Sequence, residues 1–274
     1  MRVISLIENT GKRRDLQTEH GLSLYIETEQ HRILFDTGAT DRFLENAEKL
    51  NVDIAAVDTL GLSHGHYDHT GGIAGFLKRN RQAKIYIREN AFAPFYHCSV
   101  DEIRYIGISG IEKDHPRLTL TCGNVTIDSE LTLFTNVRGR RCYPETNLKL
   151  KYFDGRRYIQ DDFRHEQNLA ITERGTRVVI SGCSHNGIVN ILDTYDTLFH
   201  QMPDVAIGGF HTAGKGEFDP SSTAQLCEMA QALQETGTVF YTCHCTGQEP
   251  YEILKGKLKD HIHYLATGDE ITLS

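Results

Sequence analysis

No stretch of this 274-residue chain approaches the roughly 18 uninterrupted apolar residues that a membrane-spanning helix needs, so no membrane span is expected. Met1 to Asn9 has neither a long apolar core nor a small-residue cleavage site, and it reads as a first strand, not a signal peptide. Positive charge is scarce as well: 29 Lys and Arg against 37 Asp and Glu give a formal net charge of −8. A general nucleic-acid binder needs a basic face to neutralise phosphates, so nucleic acid is not an expected partner; Arg138, Arg140 and Arg141 form a candidate local patch. The seven cysteines contain no Cys-x-x-Cys pair. Cys98, Cys122, Cys142 and Cys227 therefore read as small hydrophobes or incidental thiols. An odd cysteine count without a secretory signal suggests a reduced, cytoplasmic setting. No linker divides the chain, and one domain over 1–274 is expected.

What is present is the composition of a globular protein, 39% hydrophobic and 24% charged. Val3 to Ile7, Leu22 to Glu27 and His31 to Phe35 carry β-branched and aromatic residues between turn signals and read as strands. A helix is expected from about Thr40 to Leu50, with Phe43, Leu44, Ala47 and Leu50 on one face. Then an order repeats: an apolar strand, a loop of polar ligand-type residues, a helix. It occurs at Ala55 to Lys78, at Arg177 to Leu198 and at Thr238 to Lys259. Ser222 with Gln225, and Thr246 with Glu249, have the spacing of reciprocal capping boxes. The pattern is α/β, with several histidines at the carboxyl ends of strands, where open α/β sheets collect ligands. Residues from about 96 to 163 break the rhythm and read as a cap-like elaboration.

The densest signal is Leu62-Ser63-His64-Gly65-His66-Tyr67-Asp68-His69-Thr70-Gly71-Gly72. Three histidines and an aspartate fall within six residues, after an apolar segment and before a Gly-Gly that can open a helix. Zinc and similar divalent metals take imidazole nitrogen and carboxylate oxygen at about 2.0–2.2 Å. In an extended segment His64 and His66 project to the same side, while Asp68 and His69 follow where the chain turns and can reach a second position.

This run matches the His-x-His-x-Asp-His signature, and the chain resembles the metallo-β-lactamase superfamily. Ile33-Leu34-Phe35-Asp36-Thr37-Gly38 is similar to that superfamily's strand end. Ser181-Gly182-Cys183-Ser184-His185-Asn186-Gly187-Ile188, Gly208-Gly209-Phe210-His211 and Thr242-Cys243-His244-Cys245-Thr246-Gly247 resemble one subgroup, the dihydropterin ribofuranosyl-aminobenzene 5'-phosphate synthases. The resemblance, from about Gly21 to Gly247, implies an αββα sandwich of two mixed sheets flanked by helices. It implies one or two zinc ions, with Mn or Fe as alternatives. His64, His66 and His185 would hold the first ion; Asp68, His69 and His244 the second. For His185 and His244 a hydrogen-bonded core role is the competing reading. Two metals about 3.5–4 Å apart can share a water, lower its pKa and polarise a phosphoryl oxygen.

His211 can be a ligand, a general acid or a substrate contact; the resemblance to tRNA-processing members favours proton transfer, shared with Asp68. Asp36 reads as a residue orienting a ligand histidine or as a helix cap. Ser184, Thr246 and Gly247 are expected to bind substrate, the last two through backbone N–H groups at a helix start. Two departures from the superfamily pattern stand out. Cys183 occupies the place of a bridging aspartate, where a thiolate can bridge or the second metal is weakened. Glu166 stands where other members have a histidine ligand, and His165 beside it is a candidate replacement.

The function expected is a metal-dependent enzyme acting on a small anionic or phosphorylated, pterin-like substrate. It works by metal-activated hydrolysis, or by transfer that displaces diphosphate as the subgroup resemblance implies. The alternative is a metal- or ligand-binding sensor of the same fold with altered catalysis; a nuclease on structured RNA is disfavoured by the acidic charge. A homodimer is compatible with the sequence.

Overall fold

The computed structural model describes residues 1–213 and 222–274, and the chain divides into two units. The first holds Met1–Gly123, Leu148–Gln167 and Ala266–Ser274; the second holds Asn124–Asn147 and Asn168–Leu265.

In the first unit a seven-stranded sheet runs in the order Glu270–Thr272, Arg2–Ile7, Ser23–Glu27, Arg32–Phe35, Thr59–Gly61, Lys84–Arg88, Leu118–Thr121. Its first four strands pair antiparallel and the rest add in parallel. The helices Arg42–Lys49 and Ile73–Arg79 bury Phe43, Ala47, Ile73 and Phe76 in one core with Leu34, Leu60 and Ile85. The expected helix near Thr40 to Leu50 is thus present, its apolar positions three to four apart facing the sheet. A second, antiparallel sheet of this unit has the order Tyr158–Gln160, Leu150–Phe153, Phe95–Cys98, Ile103–Tyr105.

In the second unit the order is Ile262–Tyr264, Val239–Thr242, Val205–Gly208, Thr176–Ile180, Asn168–Glu173, Leu131–Phe134, Val125–Thr126. The first four strands are parallel, and the central ones are near-continuous apolar runs, as parallel strands covered on both faces require. The helices Ile188–Phe199, Thr223–Gln234 and Gln248–Leu258 pack Ile191, Leu192, Leu226, Leu233 and Leu254 with Val179, Ala206 and Phe240. Residues 96–163 contribute strands to all three of these sheets. Among the described residues no helix is long and apolar enough to cross a membrane.

Two local expectations are corrected. Ser222 caps Thr223–Gln234 in position only, without a side-chain cap bond, because Gln225 instead donates its amide to the Tyr143 carbonyl at 2.8 Å. Gln248–Leu258 starts after Gly247, whose φ is +77°. The Thr246 hydroxyl turns inward, accepting from the Phe210 N–H at 2.9 Å and bonding the Thr242 hydroxyl. A partner distant in sequence won over the local cap in both cases.

Candidate metal centre

In the first unit the three parallel strands Arg32–Phe35, Thr59–Gly61 and Lys84–Arg88 put their carboxyl ends side by side. Asp36 leaves the first of these with φ +63°, a left-handed conformation uncommon outside glycine and asparagine. That turn aims its carboxylate at the next strand end. There it accepts the Ser63 N–H at 2.7 Å, the Ser63 hydroxyl at 2.6 Å and His69 Nδ1 at 2.6 Å. Ser63 Oγ, its one proton given to Asp36, accepts from His64 Nδ1 at 2.8 Å. One buried carboxylate therefore fixes Nδ1–H on both His64 and His69 and leaves the unprotonated Nε2 of each as a ligand atom.

The rings of His64 and His66 lie 4.5 Å apart and those of His64 and His69 4.2 Å apart. The helical turn Tyr67–Thr70 carries Asp68 and His69, with Asp68 Oδ2 at 3.9 Å from His69 Nε2 and 3.3 Å from His20 Nε2. The Gly71-Gly72 pair is demanded by packing: a Cβ would lie 2.1 Å from the Ala39 carbonyl oxygen or 2.2 Å from that of Thr37.

Burial, followed by the neighbouring imidazoles, drives His64 well below the ordinary histidine range. Burial and then His165 bring His66 down to about 3. Both rings are neutral at pH 7, the state a metal ligand needs. In the metal-free protein the unfolded histidines, with pKa near 6.5, take up protons first as pH falls. Stability is therefore fully present above about pH 6.5 and is lost toward about pH 3, at up to roughly 1.4 kcal/mol per pH unit for each group. Urea unfolding of metal-free protein between pH 7 and 5 checks this, and a flat profile would contradict it.

His165 offers a donor atom within 4.8 Å of those of His66 and Asp161, and in the structure both of its ring nitrogens are engaged. Its Nδ1 accepts the Gly65 N–H at 3.0 Å and its Nε2 meets Asp161 Oδ2 at 3.0 Å. A ring nitrogen that accepts an N–H carries no proton, so Nε2–H donates to the carboxylate and both nitrogens are used. Asp161 Oδ2 also lies 4.0 Å from His66 Nε2. Burial pushes the Asp161 carboxyl up, but His165 and His66 together hold it below the usual range. Glu166 is buried, with its N–H on the Phe163 carbonyl. Gly65 has no room for a side chain, since a Cβ would stand 2.2 Å from the Ala91 oxygen and 2.9 Å from Phe95 Cε2. Gly65→Ala is expected to cost about 3 kcal/mol, read as a fall in Tm of roughly 6–12 °C.

In the second unit the strands Thr176–Ile180, Val205–Gly208 and Val239–Thr242 are parallel and in register, so three loops emerge at one edge. Each carries a non-glycine residue with positive φ: Ser184 (+55°), His211 (+52°) and His244 (+52°). Such residues collect where a site over-determines the backbone. Asn147 donates its amide to the His185 carbonyl at 2.7 Å, which orients its Oδ1 to accept His185 Nδ1–H at 2.9 Å. His185 is thereby left with Nε2 unprotonated, as His64 and His69 are. His185 and His211 stack edge-on with centroids 4.2 Å apart. Burial, the largest influence, pushes the Cys245 thiol up, but hydrogen bonds with Cys183 and His211 and the charge of His244 hold it well below the usual thiol range.

The residues nominated for substrate are otherwise engaged. Ser184 is buried with its hydroxyl on Ser181 Oγ at 2.9 Å. The N–H groups of Thr246 and Gly247 donate within their own turn, to the carbonyls of Cys243 and His244. The short 3-10 turn at His244–Thr246 uses both. Ser63, His20, Asp161 and Asn147 escape sequence reasoning. Only the serine, adjoining the run in the chain, carried a signal that could have found it.

Residues 17–200 match the sequence model described as the metallo-beta-lactamase superfamily. The chain belongs to that superfamily, and its mixed sheets and helices match that fold. It is 27% identical, over 98% of its length and 95% of the relative's, to 7,8-dihydropterin-6-methyl-4-(beta-D-ribofuranosyl)-aminobenzene-5'-phosphate synthase of Methanocaldococcus jannaschii. Among solved structures it is similar to Tm1679, described as a metal-dependent hydrolase of the beta-lactamase superfamily. That likeness has 27% identity and a TM-score of 0.84, covering 100% of this chain and 99% of the other. Human tRNase Z, short form, shares the fold alone, at 14% identity and a TM-score of 0.53 over the whole of both chains.

Proposed function

We propose that the protein is a metal-dependent enzyme acting on a small anionic, phosphorylated and pterin-like substrate. The observation that carries this reading is the network in which Asp36 aligns His69 directly and His64 through Ser63. Neutral buried imidazoles held in one tautomer fit a divalent cation of the zinc type. His64, His66 and His185 are assigned to a first ion and Asp68, His69 and His244 to a second, on the match of each to the superfamily's motifs. Zinc is the metal proposed, with Mn or Fe as alternatives. A bound ion of this kind lowers the pKa of water and polarises phosphoryl oxygens. Asp68, paired with His20, holds a proton position beside the run. In the first unit a cavity of about 490 Å³ is lined by Phe92, Phe95 and Tyr152, by Glu89 and Lys113, and by Asp162 paired with Arg164 at 2.7 Å. Flat aromatic walls beside groups of both charges suit a heterocycle bearing an anionic group.

Hydrolysis and diphosphate displacement differ in their requirements: the first needs one substrate and water, the second an acceptor. Purified protein supplied with Zn, Mn or Fe is expected to turn over either a phosphodiester model compound or the pterin-methyl diphosphate with its aminobenzene ribofuranosyl phosphate acceptor. Failure of both, with metal bound, would leave the sensor reading in its place. Failure to bind metal would remove the metal centre itself.

A further inference from the structure

Cys245 has no part in the ligand sets assigned above, yet its sulfur is given a built place in the second unit. One donor atom each from Cys183, His211 and Cys245 lies within 4.8 Å of the others, and both thiols are about 3% exposed. A cation with Zn–S near 2.3 Å and Zn–N near 2.0–2.1 Å separates its tetrahedral donors by about 3.4–3.8 Å. Small side-chain shifts therefore bring these three donors onto one ion.

The room for this sulfur is made on a neighbouring strand. A Cβ at Gly209 would stand 2.3 Å from Cys245 Sγ, so the glycine there yields its space to the thiol. The two loops are also locked together. Phe210 N–H donates to Thr246 Oγ1 at 2.9 Å, Ala213 N–H to the Cys245 carbonyl at 3.1 Å, and Thr212 Oγ1 to the Thr246 carbonyl at 2.8 Å. Gly209 N–H on the Gly182 carbonyl at 2.8 Å ties in the Cys183 loop. His211 Nδ1 is buried without a hydrogen-bond partner among the described residues. Donors held by their backbones before any ion arrives are what a metal site requires, and cysteines kept merely as apolar filling need none of this bracing.

We propose that Cys183, Cys245 and His211 form a thiolate-bearing metal position selective for a soft or borderline cation, Zn²⁺ being the occupant argued here. Two sulfurs and one imidazole leave a fourth coordination position open, the donor set of a site that can also hold an exogenous ligand. Binding replaces the thiol protons, so loading Zn²⁺ releases up to two protons to solvent. All three donors belong to the second unit.

X-ray absorption at the zinc edge of the unaltered, reduced protein tests it directly. With one equivalent of zinc, a sulfur shell near 2.3 Å is expected; nitrogen and oxygen scatterers alone would overturn the proposal while leaving the enzyme reading intact. In parallel, Co²⁺ added to metal-free protein should give thiolate-to-cobalt charge-transfer absorption. That absorption is expected to survive His64→Ala and to fall at least tenfold in Cys245→Ser, with folding followed by circular dichroism. Its persistence in a folded Cys245→Ser variant would also overturn the site. A Cys183–Cys245 disulfide in protein purified with reductant, seen by mass spectrometry, would assign the pair to redox chemistry instead. If the sulfur shell is present but no substrate turns over, the enzyme reading fails and the site stands.

Discussion

Asp36→Ala is expected to destabilise the metal-free protein by about 3–5 kcal/mol and to weaken metal binding by roughly 10–100-fold. The carboxylate is fully buried and accepts three hydrogen bonds, from the Ser63 N–H, the Ser63 hydroxyl and His69 Nδ1. Alanine removes all three hydrogen bonds at once. Each buried donor left without a partner costs about 1–3 kcal/mol, partly relieved by reorientation of the Ser63 hydroxyl. With His69 and His64 no longer confined to one tautomer, ring orientation is lost at both. Alanine also tolerates the φ of +63° less well. Asp36→Asn, which keeps the shape and accepts that backbone conformation, should be milder in stability while still impairing metal affinity. Urea unfolding and a competition titration with a chromogenic chelator read the two effects. Wild-type metal affinity in Asp36→Ala would show that the network does not position the ligands.

Asp68→Ala is expected to lower metal-dependent turnover by about 10³-fold and metal content by one ion per chain, with little change in fold. Asp68 sits in the helical turn Tyr67–Thr70, is 8% exposed and faces His20 Nε2 at 3.3 Å and His69 Nε2 at 3.9 Å. It contributes no apolar packing, so its loss falls on chemistry more than on stability. Retention of activity within tenfold of the parent, with two ions still bound, would remove Asp68 from both its ligand and proton-handling roles. His20→Ala, which removes only the neighbour, should lie between the two proteins.

The legible part of this protein was local. Helices with apolar positions three to four apart, such as Arg42–Lys49 and Thr223–Gln234, followed from periodicity, and the four ligand-type residues of the run lie within six positions. The strand, ligand loop, helix order around His185 and His244 was visible for the same reason. The capping boxes failed because a Gln225–Tyr143 bond and a Thr246–Phe210 bond, 82 and 36 residues apart, engaged the side chains in place of the helix ends. The bond of His165 to Gly65 was not legible because the two lie 100 residues apart.

The sequence by itself determined the run of ligand-type residues, the α/β class and the superfamily, since each depends on residue type at short spacing. Tertiary structure alone decided which histidine nitrogen carries the proton, through Asp36 for His64 and His69 and through Asn147 for His185. It alone also placed Cys245 against Cys183, 62 positions away. The physical reason is that a tautomer and a shared donor set are properties of pairs. Pairs this distant meet only when strand register brings their loops to one edge of a sheet.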